Sequence, residues 1–252
     1  MIELDEIVEY LDDYLAIGEI SDYPGAHNGL QVENRTAVER VSAAVDACQV
    51  TIEGAAEAGS QLLLVHHGLF WGEPLPVAGV TYRRLRALFE ADVALYSAHL
   101  PLDVHPEVGN NVLLARALEL EVEGRFGAAE GVEGIGVWAA ADLSREELAA
   151  RISTVCGSAP RVIEGGPPHV RRLGIVTGGA GSLIRQAWEE GLDTFLTGEG
   201  AHHTFHEATE LGLNLIYAGH YATETFGVQA LAERVARRFG LEWGFLDHPT
   251  GL

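Results

Sequence analysis

Apolar and polar positions along the chain fall into two alternating patterns. Short, nearly unbroken apolar runs occur at "RVSAAVDA" (40–47), "QLLLVHH" (61–67) and "VALYSA" (93–98). Between and after them lie stretches with helical spacing, at 50–59, 82–91 and 107–120. A strand with one wet face would alternate, so continuous apolar runs indicate strands covered on both faces of a largely parallel sheet. An amphipathic segment at 3–16 opens the chain. The second half repeats the order: "RRLGIVTG" (171–178), a helix near 182–190, "DTFLTG" (193–198), a helix at 202–211, "LNLIYAG" (213–219) and a helix at 224–239. The expected class is α/β, two related units with mixed, largely parallel sheets flanked by helices. The expected boundaries are 1–124 and 125–252, with terminal elements able to cross between units.

Two further matches support duplication. "VALYSAHLPLDVH" (93–105) and "LNLIYAGHYATETF" (213–226) share Tyr-x-x-His-x-x-x-acid, which pairs Tyr96 with Tyr217, His99 with His220 and Asp103 with Glu224. An ungapped match of 45–67 to 177–199 pairs Ile52 with Ile184, Ala55 with Ala187 and Gly59 with Gly191. The intervening 124–172 is Gly-rich and then reads strand, helix, strand, so it should add antiparallel strands to the second half. Gly165, Gly166, Pro167 and Pro168 mark a turn there.

Composition narrows the chemistry. At 252 residues, 47% of them hydrophobic, the chain can bury a substantial core. No apolar run approaches the ~18 residues of a membrane span. The N-terminal segment is acidic rather than signal-like, so a cytoplasmic location is expected. Cys48 and Cys156 are far apart and form no CxxC pair, so any metal site must use His and carboxylates. A net charge of -21 argues against a nucleic-acid footprint. All 16 basic residues are Arg, which removes Walker-type phosphate binding and Schiff-base chemistry.

In open α/β sheets ligands bind beyond the carboxyl ends of the strands. His66–His67, His99 to Asp103, Glu199 to His203, and His220 to Glu224 all fall at such ends. Neighbouring strand residues point to opposite faces, so His66 and His67 can share a centre only where the strand ends, and Gly68 would permit the turn. Their rings should then diverge, each toward a different ion. Glu224, with two oxygens, can bridge two ions that Asp103 and His220 bind singly. Ions about 3.5–4 Å apart can activate one water and hold a substrate oxygen. His202 and His206, at i and i+4, form a second candidate chelate without the Glu of HExxH. Taken singly, His27, His105, His169, His206 and His248 read as ordinary hydrogen-bonded residues. The apolar "HGLFWGEPLPVAGV" (67–80), with Phe70 and Trp71, reads as a surface needing cover, by a lid or by another subunit.

"AHNGLQV" (26–32), "LLLVHHGLFW" (62–71), "SAHLPLD" (97–103), "TGEGAHH" (197–203) and "GHYATE" (219–224) together resemble the Nif-three-like dinuclear metal-centre family, in its short form. Its members are often called GTP cyclohydrolase I type 2 homologues. The resemblance implies a metal set of His66, His67, Asp103, His220 and Glu224. His67, Asp103 and Glu224 would hold one divalent ion, and His66, His220 and Glu224 the other. It also implies a toroidal homohexamer, with His99, Glu199 and His203 as candidate proton-shuttling residues. Glu199 stands where many relatives carry Asp. Zn, Mn, Fe, Co and Ni all suit these ligands. Two such ions outweigh the two carboxylates, which favours an anionic substrate such as a nucleotide. The readings set against each other are a GTP cyclohydrolase-like hydrolase, a phosphatase or phosphodiesterase, and a non-enzymatic hexameric metal-binding scaffold.

Overall fold

The structure, a computed structural model, describes residues 1–72 and 75–252. The apolar stretch 67–80 is therefore described except for residues 73 and 74, which lie outside the described residues. The chain divides into two compact units, Met1–Leu102 with Gly227–His248, and Asp103–Phe226 with Pro249–Leu252.

Unit 1 begins with α1 (Leu4–Leu15), whose Leu4, Ile7, Leu11 and Leu15 recur every three or four positions and are buried. Then come β1 (Gly29–Val32), β2 (Arg40–Asp46), α2 (Gln49–Glu57), β3 (Leu62–His67), α3 (Gly79–Ala91), β4 (Ala94–Ser97) and the single-turn α4 (Leu100–Asp103). Leu63, Val65, Leu95 and Ala44 form one core with Ile52 and Ala55 of α2 and Leu85 and Leu88 of α3.

Unit 2 contains α5 (Asn110–Ala117), β5 (Val122–Ala129), β6 (Val132–Ser144), α6 (Arg145–Cys156), β7 (Arg161–Ile163) and β8 (His169–Ile175). After a 3₁₀ turn at Gly181–Leu183 follow α7 (Ile184–Glu189), β9 (Thr194–Thr197), α8 (Thr204–Leu211), β10 (Asn214–Tyr217) and α9 (His220–Thr223). Ser144 caps α6 through a reciprocal box with Glu147. α10 (Thr225–Phe239) carries the chain back to unit 1, where β11 (Glu242–Phe245) pairs in parallel with β2. The boundary thus falls at Leu102–Asp103 rather than near 124. From α5 onward the chain packs Val112, Leu114 and Ala115 into the core of the second sheet, and this transfers Asp103 to unit 2.

The five-stranded sheet has the order β1-β4-β3-β2-β11, and the six-stranded sheet β5-β6-β8-β9-β10-β7. Each contains a parallel run, four strands in the first (β4-β3-β2-β11) and three in the second (β10-β9-β8), flanked by an antiparallel edge, β1 on β4 and β7 on β10. The Gly-rich 124–172 supplies antiparallel strands to the second sheet, as its pattern predicts.

Matching backbone bonds show how closely the units repeat. Ser60 N–H donates to Ala55 O at 3.0 Å, and Leu192 N–H to Ala187 O at 3.1 Å. Gly59 and Gly191 both take positive φ, 67° and 75°. The ungapped match between helices is therefore structural. Farther on, Ala98 N–H donates to Val65 O and Ala218 N–H to Thr197 O. That equates Ala98 with Ala218, and hence Tyr96 with Ile216 rather than Tyr217. Tyr96 follows Leu95, which faces α2 and α3, so Tyr96 faces the other way and donates to Asp12 of α1 at 2.7 Å. Tyr217 instead meets the Thr204 hydroxyl on α8, the counterpart of α3. The tyrosine anchor of the repeat is wrong by one residue, and a shift of one in a strand reverses the face. The single turns that follow keep this register, α4 at Leu100–Asp103 and α9 at His220–Thr223, so His99 corresponds to Gly219 (φ 98°) and not to His220.

Candidate metal centre

Unit 1 gathers three histidines at the carboxyl ends of β3 and β4. His66 is fully buried, and its Nδ1 lies 2.9 Å from Ala98 O. A carbonyl only accepts, so Nδ1 carries the proton and the neutral ring has its lone pair on Nε2. His67 Nδ1 lies 2.9 Å from Asp46 Oδ1, at the end of β2. His99 Nδ1 lies 2.8 Å from Asp22 Oδ1, and its backbone N–H donates to Asn28 Oδ1 at 2.7 Å. Burial by itself would raise the Asp22 pKa, but the hydrogen bond and charge of His99 hold that carboxyl below its ordinary value. One nitrogen from each of His66, His67 and His99 lies within 4.8 Å of the others.

The His66 and His67 rings are 4.7 Å apart and tilted by 47°. The two rings are tilted but stay close, rather than diverging, and no glycine turn separates them. Gly68 lies outside the positive-φ glycines, and a Cβ there would meet Gln31 Nε2 at 2.2 Å. Gly68 is small so that Gln31 can approach and accept from Leu69 N–H at 2.7 Å. Trp71, held by its Nε1–H on Gly68 O, places its ring 4.9 Å from His99 and 6.0 Å from His67. Tyr23 stands 5.8 Å from His99 on the same wall.

Unit 2 gathers carboxylates around a single imidazole. His220 opens α9, with Nδ1 2.8 Å from Glu199 Oε1 and Nε2 3.1 Å from Glu224 Oε2. The hydrogen bond to Glu224 is the main cause that pushes the His220 pKa up to about 9. Burial opposes it, and the charges of Glu224 and Glu199 add to it. Glu224 is 2% exposed and sits in the break between α9 and α10, with φ -107°. The long helix predicted from 224 therefore starts one residue later, which leaves Glu224 to turn inward. Glycines make the room: at Gly178 (φ +68°) a Cβ would lie 2.1 Å from Glu224 Oε1. A Cβ at Gly198 would lie 2.7 Å from both Gly178 O and His220 Cα. Asp103 is buried and accepts from Asn110 Nδ2 at 2.8 Å and from Thr177 Oγ1 at 3.4 Å.

The remaining candidates separate. Glu199 orients His220 and so has a structural partner. His203 is exposed, precedes α8, and belongs to no group of three ligand atoms among the described residues. His202 and His206 face each other at 5.8 Å, but no carboxylate, cysteine or further His joins them among the described residues. His105 and His169 are hydrogen-bonded as expected, the first to N–H groups of its own turn and the second to Asp142. Sequence reasoning missed Asp22, Asn28, Asp46, Asn110 and Thr177. Asp46 ends a strand and could have been found by the strand-end rule. Asp22 lies in an irregular loop with no periodic signal.

Metal-ligating imidazoles characteristically give their second nitrogen to a carboxylate or backbone carbonyl, which fixes the tautomer and the ring. His66, His67, His99 and His220 all do so here. With carboxylates and no thiolate among the donors, these residues fit a divalent metal of intermediate softness. No helix among the described residues is long and apolar enough to cross a membrane.

Comparison with known proteins finds relatives that match along nearly the whole chain. The family model Duf34/NIF3 (NGG1p interacting factor 3) matches residues 2–250. A Deinococcus radiodurans protein called "GTP cyclohydrolase 1 type 2 homolog" is 46% identical over 249 residues, covering 98% of this chain and 94% of its own length. A Pseudomonas aeruginosa protein of the same name is 43% identical over 99% of this chain and 98% of its own. The crystal structure of TTHA1606 from Thermus thermophilus superposes with a TM-score of 0.91 at 46% identity, covering 100% of both chains. Reduced HcgD from Methanocaldococcus jannaschii gives 0.84 at 28% identity, covering 98% of both. The chain belongs to the Duf34/NIF3 family.

Proposed function

We propose that this protein binds two divalent metal ions through His66, His67, Asp103, His220 and Glu224, and acts as a metal-dependent hydrolase on an anionic, nucleotide-like substrate. The observation that carries the reading is the set of Nδ1 anchors: Ala98 O for His66, Asp46 for His67 and Glu199 for His220. Each orients a ring and selects Nε2 as the donor nitrogen. Glu224, with two carboxylate oxygens, would serve both ions, and Gly178 keeps the space it needs. When bound, the metals would supply Lewis-acid polarisation and an activated water. The chain's own part is to hold the ligands, to orient His220 through Glu199, and to place the His99–Asp22 pair to relay a proton.

The name shared by the relatives points to GTP as the first substrate to try. Elemental analysis of protein purified without added metal should show about two ions per chain. The metal-loaded protein is then incubated with GTP and with a generic phosphodiester, and the products are identified. Opening of the guanine imidazole ring supports the cyclohydrolase reading. Phosphate release moves it to a phosphatase, and no turnover on a broad panel leaves a metal-binding scaffold. We further propose a homohexamer, in which the apolar surface around Phe70 and Trp71 is covered by another copy. A monomeric mass in light scattering at micromolar concentration would contradict that assembly.

A further inference from the structure

A second site lies within unit 2, on the other side of the loop that carries Glu199. A cavity of about 330 Å³ is lined by Arg161, His202, Thr204, Phe205, His206 and Tyr217. The volume falls in the range of small-molecule sites. In a chain with 37 acidic residues and 16 arginines, no carboxylate lines it. Arg161 is in no ion pair among the described residues, unlike Arg145, Arg151 and Arg237. Its charge reaches the Tyr217 phenol, whose pKa burial raises and Arg161 pulls back.

The apolar part of the cavity is aromatic. The Phe205 ring meets His206 edge-on at 5.5 Å, and His206 meets His202 at 5.8 Å. Phe205 is 43% exposed, a large aromatic lining the cavity and open to solvent. Tyr217 is fixed at the back: its hydroxyl meets Thr204, and a Cβ on Gly200 would strike it at 2.5 Å. Gly200 directly follows Glu199, so the chain that orients His220 also forms one wall.

A guanidinium fork suits phosphate oxygens, imidazole N–H groups add donors, and exposed aromatic edges suit stacking with a planar ring. We infer that this cavity binds a small molecule that carries both an aromatic ring and a phosphate, with Arg161, His202 and His206 on the phosphate and Phe205 on the ring. The inference does not rest on the metal reading, because none of the lining residues is a proposed ligand.

The test is calorimetric titration of the full chain with GMP, guanosine and inorganic phosphate, before and after removal of divalent metal with a chelator. GMP should bind the chelator-treated chain, more tightly than either fragment. Arg161→Ala should weaken GMP at least about tenfold, which corresponds to about 1.4 kcal/mol. Phe205→Ala should weaken GMP by a similar factor and leave inorganic phosphate unchanged. Both positions are exposed, so circular dichroism of the variants should match the wild type. Absence of GMP binding, GMP binding that neither variant alters, or phosphate binding as tight as GMP would each overturn the inference. Metal content is measured on the same samples. An Arg161→Ala protein that keeps its metal but loses GMP separates this site from the metal centre. A chain that holds no metal as purified, before any chelator, and still binds GMP sinks only the metal reading.

Discussion

The two units run the same backbone course to different chemical ends. At the end of β3, unit 1 places His66 and His67; the equivalent positions after β9 hold Gly198 and Glu199. Unit 1 is rich in imidazole, walled by Trp71 and Tyr23, and its carboxylates Asp22 and Asp46 serve to orient rings. Around its candidate ligands unit 2 offers the His220 imidazole, clears space with Gly178 and Gly198, and buries the Asp103 and Glu224 carboxylates. The comparison teaches that a strand end is a position, not a chemistry. The sheet fixes where side chains emerge, and small substitutions at those few places decide whether a unit offers nitrogen or oxygen donors.

The most severe way to break the contrast is to remove the oxygen donor of unit 2. Glu224→Ala should abolish the metal pair, whereas His66→Ala should leave about one ion, because His66 serves one ion and Glu224 both. Metal stoichiometry by mass spectrometry decides, and an unchanged ratio in Glu224→Ala refutes the bridging role.

Next comes the space that unit 2 keeps clear. Gly178→Ala drives a methyl to 2.1 Å from Glu224 Oε1 at φ +68°, while at Gly179 the nearest atom, His220 Cε1, is 3.6 Å away. Gly178→Ala should cost about 1–3 kcal/mol of stability and lower metal content. Gly179→Ala should change neither, and thermal melts with metal analysis of both proteins test the pair.

A smaller effect is expected where unit 1 only orients a ring. Asp46→Asn leaves His67 in place but replaces its carboxylate anchor, so metal affinity should fall about 10–100-fold without loss of fold. Competition with a chromogenic chelator measures it, and an unchanged affinity would show that the anchor is incidental.

The smallest effect concerns pH. The Asp22 carboxyl is held below its ordinary pKa in the folded chain, so its stabilising contribution is present above about pH 3.9 and lost as pH falls through the lower folded value. Asp22→Asn should therefore cost on the order of 1–3 kcal/mol at neutral pH. The gap should narrow below about pH 4 in chelator-treated protein followed by urea denaturation. A gap that stays constant down to about pH 2 would argue that another group sets it.

What the sequence determined by itself was the order of strands and helices, the duplication, and the strand-end placement of His66, His67, His99, Asp103, Glu199, His220 and Glu224. Those follow from periodicity and from short-range chain geometry, which a linear pattern records. β1 (GLQV) and β11 (EWGF) carry no continuous apolar run and become strands only because neighbouring strands pair with them. The tyrosine alignment failed because a match of a few identical residues does not record strand register, and only register shows which face a side chain takes. The roles of Asp22, Asp46, Asn28 and Gly178 also belong to tertiary structure. Each acts on a residue far along the chain, Asp22 on His99 and Gly178 on Glu224, and only folding brings such partners within hydrogen-bond or contact distance.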